Sequence, residues 1–138
     1  MARICLLTLS VAAAAGLNFS TAAGQTPQLH QVMREKLGHS QKILEAVVTS
    51  NWQALEAESL ALKELTMKPE WAVLTAPEYV RHTTAFVQAT QDLLVAARER
   101  DLDAAPLAYV SLTLSCVQCH RYVARSRVAV RTGEQPRP

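Results

Sequence analysis

Between Thr26 and about Thr49, apolar residues fall at Leu29, Val32, Met33, Leu37, Ile43, Leu44, Val47 and Val48. Steps of three and four predict a helix with one buried stripe, and Pro27 suits its first turn, where its missing N–H costs nothing. Asn51 is a good cap for a second helix that carries Trp52, Leu55, Leu60, Leu62 and Leu65 to about Met67. Pro69 ends that pattern, and Lys68 to Ala76 reads as a loop from which Trp71, Val73 and Leu74 return to the core. Thr75-Ala76-Pro77-Glu78 then reads as a helix start, with proline in the first turn and an acid at the positive end. This third helix is expected to run to about Arg100 and to bury Tyr79, Val80, Phe86, Val87, Leu93, Leu94 and Ala97. After a break at Asp101-Leu102-Asp103, Asp103 is expected to cap a fourth helix through Leu107, Val110, Leu114 and Val123 to about Val130. Four helices joined by two short links and one longer loop, with no alternating strand pattern, predict an all-α, antiparallel up-down-up-down four-helix bundle.

The first residues do not belong to that pattern. Arg3 precedes an apolar run from Ile4 to Leu17, and small residues follow at Ser20-Thr21-Ala22-Ala23-Gly24. This is the layout of a secretory signal peptide. The expected organisation is a cleaved signal over 1–23, a bundle domain over 24–132 and a frayed tail over 133–138. Export places the bundle in an oxidising compartment, the periplasm, with no stable membrane insertion, since no later segment approaches the roughly 20 apolar residues that span a bilayer. A chain of 138 residues supports one core. The net charge of +2 is too small to point to nucleic acid. Its distribution is uneven: Arg121, Arg125, Arg127, Arg131 and Arg137 cluster near the end, and Glu56, Glu58, Glu64, Glu70 and Glu78 lie in the middle. The arginines read first as a solvated helix end, and in a sharper reading as a docking patch for an acidic redox partner protein.

Cleavage removes Cys5 and leaves Cys116 and Cys119, both within Cys116-Val117-Gln118-Cys119-His120. CxxCH is the attachment sequence of a c-type haem. Two thiols add to the two vinyl groups of one porphyrin as thioethers, and the adjacent imidazole ligates the iron. On a helix, positions 116, 119 and 120 are expected to share a face. Two other chemistries use these residue types. A structural zinc site accepts cysteine and histidine but lacks a fourth ligand nearby in sequence. A thiol-disulfide enzyme uses CxxC, but at the start of a helix, where thiol pKa falls. No phosphate loop, nucleophile elbow or paired-carboxylate motif points to an enzyme. Glu56 with Glu58, and Asp101 with Asp103, read as solvated helix-end charge.

An exported bundle with CxxCH late in its last helix resembles the class II c-type cytochromes, the cytochromes c prime and their low-spin relatives. The resemblance implies one haem c held by thioethers at Cys116 and Cys119, with His120 as the proximal iron ligand. It also implies a redox partner, and pairing of two copies through the first two helices, as in many bundles of that family. The chain departs from the family after the motif, with Ala124 where a basic residue often stands four positions beyond the histidine. Arg121 and Arg125 remain candidates for a haem propionate.

The resemblance places the functional fork on the first helix. An apolar residue opposite His120 leaves the iron able to bind nitric oxide or carbon monoxide, whereas a methionine makes a low-spin electron carrier. Met33, one turn from Leu29 and Leu37, is the expected sixth ligand, and a thioether there raises the reduction potential. Methionine is also an ordinary core filler. His30, His39 and His82 are expected at the surface, and Met67 is a weaker candidate than Met33.

Overall fold

The computed structural model describes residues 27–71 and 75–132. The expected signal segment over 1–23, the tail over 133–138, and Val73 and Leu74 lie outside the described residues. Four α-helices follow in order: α1 (Pro27–Val48), α2 (Trp52–Leu65), α3 (Pro77–Glu99) and α4 (Ala104–Thr132), with a single 3₁₀ turn at Pro69–Trp71. No strand occurs among the described residues.

The helix ends follow local chemistry, in part where expected and in part not. Asn51 caps α2, its side-chain oxygen accepting from Ala54 N at 3.1 Å. Pro77 opens α3 and Glu78 lies in the first turn, as the sequence predicts. The cap of α4 is Asp101 rather than Asp103: its carboxylate accepts from the backbone N–H groups of Asp103 at 2.9 Å and Ala104 at 2.8 Å. Two helices close through left-handed residues that are not glycine, Ser50 (φ 53°) after α1 and Arg100 (φ 54°) after α3. In each, the next residue's N–H reaches back five positions, Asn51 to Ala46 O and Asp101 to Ala96 O, which completes a Schellman cap.

Packing joins sequence neighbours: α1 on α2, α2 on α3, and α3 on α4, whereas α1 meets α4 only sparsely. The core runs through Ile43, Leu55, Leu62, Phe86, Leu93 and Leu112, all fully or almost fully buried. Trp71 returns to this core as expected, its ring centroid 5.1 Å from that of Phe86. The buried hydroxyl of Tyr79 donates to Trp71 O at 2.7 Å and holds the 3₁₀ turn in place.

Several expected core residues are not buried. Leu37 is 60% exposed and Val48 71%, and Leu44, Leu60 and Val80 are also exposed. The stripe on α1 is narrower than its apolar pattern because only the face toward α2 and the 3₁₀ turn is covered; the side toward α4 is not. Two carboxylates expected in solvent instead link helices: Glu58 of α2 receives His39 Nδ1 at 2.6 Å and Lys42 Nζ at 3.2 Å from α1, and Glu56 receives Arg98 Nε of α3 at 2.7 Å.

Replacing fully buried Ile43 by Ala is expected to cost ~2–5 kcal/mol in chemical denaturation. Leu37→Ala is expected to stay within roughly 0.5 kcal/mol; equal losses would contradict the uncovered face of α1. Burial raises the Glu58 pKa, but hydrogen bonds from His39 and Lys42 outweigh it and hold the carboxyl below the usual range. A depressed carboxyl stabilises the fold above its unfolded pKa, and that stability is lost as pH falls through the folded value. Glu58→Gln is therefore expected to be less stable than the parent at pH 7, with the gap closing on acidification below about pH 4.

Candidate cofactor cavity between α1 and α4

The sparse seam between α1 and α4 encloses a cavity of about 440 Å³. One wall is α1, with Met33, Lys36 and Leu37; the other is α4, with Cys116, Val117 and His120; Leu62 and Phe86 form the floor. The α4 wall suits an apolar guest because that helix carries no charged residue from Ala104 to Cys119, while α1 adds His30, Arg34 and Lys36 to the lining. Leu37 and Val117, both exposed, lie on opposite sides of the same opening.

The register of α4 decides which parts of the motif reach this space. Leu112, Cys116 and His120 follow one another at single-turn spacing and all line the cavity. Cys119 is half-buried and does not belong to the cavity wall. At about 100° per residue, position 119 is turned some 60° from position 116, and it sits within electrostatic reach of Lys36 and of Tyr79 on α3. The shared face expected for all three residues thus holds for Cys116 and His120, with Cys119 off the cavity wall near Tyr79 of α3. Burial raises the Cys119 pKa, the charge of Lys36 opposes the rise, and Cys116 adds to it. His120 is open to solvent on one side; desolvation on the other, then the Lys36 charge, pulls its pKa down.

Met33 lies on the cavity wall, half-buried, and is the expected ligand that the fold brings to Cys116 and His120 from the far end of the sequence. Met67 is 83% exposed and is not part of the wall. Among the histidines, His30 is exposed as expected yet lies at the cavity, while half-buried His39 is held by Glu58. His82 is not at the surface: it is 8% exposed, its ring 5.7 Å from that of Tyr122 and its Nε2 3.7 Å from Glu78. The surface expectation rested on its polar neighbours in sequence; α4 covers it instead. Arg121, Arg125 and Arg127 are exposed, and the side chain of Arg131 and all of Arg137 lie outside the described residues.

Sequence reasoning missed Lys36. It is 7% exposed, and its ammonium lies 3.8 Å from the ring centroid of Phe86 and 4.6 Å from that of Trp71. Burial pulls its pKa below the ordinary lysine value, with Cys116 and Cys119 acting in the other direction. Its place in the helical period, four residues after Val32 and seven before Ile43, was the available signal.

The other chemistries fit this site less well. Among the described residues, no three His, Cys, Asp or Glu side chains are grouped to hold a metal ion, so a tetrahedral zinc site lacks its ligand set. The two thiols lie deep inside α4 rather than at its N-terminus, and the raised Cys119 pKa is the reverse of what a thiol-redox nucleophile needs. No helix among the described residues is long and apolar enough to cross a membrane. The chain matches no protein-family model, no curated protein and no solved structure in the comparisons made.

In the haem-free chain, Cys119 is expected to react more slowly with iodoacetamide near pH 8 than the same thiol in urea, because its thiolate is disfavoured by burial. Lys36→Leu removes the opposing cation and is expected to slow it further. Mass spectrometry of the labelled peptides reads both rates, and an equal rate in folded and unfolded chain would contradict the burial of the thiol.

Proposed function

We propose that this chain is an exported c-type haem protein of the up-down-up-down bundle kind that carries electrons. Thioethers at Cys116 and Cys119, His120 on one side of the iron and Met33 on the other would hold the group. The single observation that supports this most is the meeting of Met33 with Cys116 and His120 around one cavity, because a motif of five residues on α4 could not by itself call for a thioether on α1. The bound group would supply one reversible electron. The chain's residues do the rest: Leu62, Phe86 and Leu112 would give the inner side of the site an apolar lining, and a neutral sulfur ligand favours the reduced, less charged iron.

His120 would supply the imidazole, and burial followed by the Lys36 charge pulls its pKa down, the direction that favours the neutral ring ligation needs. The exposed arginines at 121, 125 and 127 flank the motif on α4 and provide a positive surface for an acidic redox partner. Two free thiols delivered to the oxidising periplasm through the segment at 1–23 would otherwise pair with each other, and thioether formation at Cys116 and Cys119 would use both.

Expression with a haem-maturation system is expected to give one covalent haem with a two-thioether pyridine haemochrome spectrum. Cys116→Ala and Cys119→Ala are each expected to lose one thioether; zinc in place of haem would overturn the reading. In the holoprotein, Met33→Ala is expected to abolish the sulfur-to-iron charge-transfer absorption and to lower the reduction potential. Retention of that absorption would remove Met33 from the iron and assign the sulfur to another methionine, whereas a parent that lacks the absorption and binds carbon monoxide would put the gas-binding reading in its place.

A further inference from the structure

The cavity wall contains a residue for which the haem reading has so far given no role. Lys36 occupies a position in α1 where the register calls for an apolar side chain, since it shares the buried face with Val32 and Ile43. Burying an ammonium is costly unless an anion accompanies it. Among the described residues, no carboxylate forms an ion pair with Lys36. The rings of Phe86 and Trp71 return part of that cost through cation–π attraction. A leucine here would pack against the same rings without any charge to desolvate.

Two roles can be weighed on position. A contact to a propionate would put the ammonium at the porphyrin edge remote from the vinyl groups. Lys36 instead lies within electrostatic reach of both Cys116 and Cys119, the residues that fix the vinyl edge. The other role faces the metal. Lys36 is one turn from Met33 on the same cavity wall, across from His120, on a flexible four-carbon stem. Amine nitrogen is a competent donor to haem iron, as imidazole nitrogen is.

We propose that Lys36 is a second axial-ligand donor on α1, whose amine takes the sixth position on the iron when the Met33 thioether is absent. The inference rests on the haem reading given above. Ligation would need the Lys36 ammonium to lose one proton to solvent so that its lone pair could be shared with the iron, with no electron exchanged and, with Met33 absent, no other bond broken. Burial pulls the Lys36 pKa below its ordinary value, which lessens the cost of that proton loss. Unligated, the ammonium rests on the faces of Phe86 and Trp71. The cavity wall therefore carries a sulfur and a nitrogen donor one turn apart, and loss of Met33 alone would leave the iron with a ligand on that side.

The test uses the haem-loaded full chain and four forms: parent, Met33→Ala, Lys36→Leu and the double variant, each checked for helix content. Absorption and electron paramagnetic resonance report spin state and ligand type, and carbon monoxide reports access to the iron. Met33→Ala is expected to stay low-spin with a nitrogen-type signature, and Lys36→Leu to keep the sulfur signature. The double variant is expected to turn high-spin, with apparent carbon monoxide affinity raised roughly tenfold or more over Met33→Ala as the competing ligand disappears. Lys36→Gln, polar but not an amine, repeats the double variant should leucine impair folding. A high-spin Met33→Ala carrying covalent haem overturns this inference alone. A double variant that stays low-spin overturns it too and assigns the nitrogen to His30. A parent that attaches no haem overturns the haem reading and the inference together.

Discussion

Everything of interest in this molecule depends on one seam of the bundle being left open. Each helix of a four-helix array has two lateral neighbours, and burial of apolar surface at about 25 cal/mol per Å² drives both contacts closed where side chains permit. Here α1–α2, α2–α3 and α3–α4 close, while α1 and α4 stand apart. Small residues on α4, Ala105 and Ala108, let it settle tightly toward the core. On α1, the cation at position 36 resists collapse onto an apolar wall. What is left is a pocket with leucine and valine at its lips, the kind of surface a soluble chain covers with a guest or a partner.

How much of this the sequence discloses varies with the range of the forces involved. The four helices and most of their ends were legible, because periodicity, Asn51 and Pro77 act within a turn or two. The caps at Ser50 and Arg100 were not, since no glycine marks the left-handed turn. Asp101 and Asp103 stand two apart and both suit a cap; only the chain path separates them. Burial was read better on α2 and α3, which have neighbours on both sides and miss at Leu60, Val80 and His82, than on α1, where Leu37, Leu44 and Val48 continue the apolar pattern onto an uncovered face.

The site divides in the same way. Cys116 and His120 were legible as a pair because their spacing is one helical turn, and Met33 could be singled out from its place on the first helix. The offset of Cys119 from the cavity wall, the burial of His82 under α4 and the seat of Lys36 on two aromatic rings all depend on contacts between distant segments. A lysine in an apolar stripe reads as an interruption in one dimension. In three dimensions it is a charge placed over Phe86 and Trp71 at the base of a cavity.

The ion pairs between elements give the molecule a directional response to salt. Among the described residues they join α1 to α2 through Glu58, α2 to α3 through Glu56 and Arg98, and the start of the 3₁₀ loop to α1 through Lys68 and Glu35; none joins α1 to α4. All are partly open to solvent, where a Debye length of about 8 Å at physiological ionic strength screens them readily. Rising ionic strength therefore relaxes the closed side of the bundle and leaves the mouth of the cavity, held by no charge pair, at the width that packing sets.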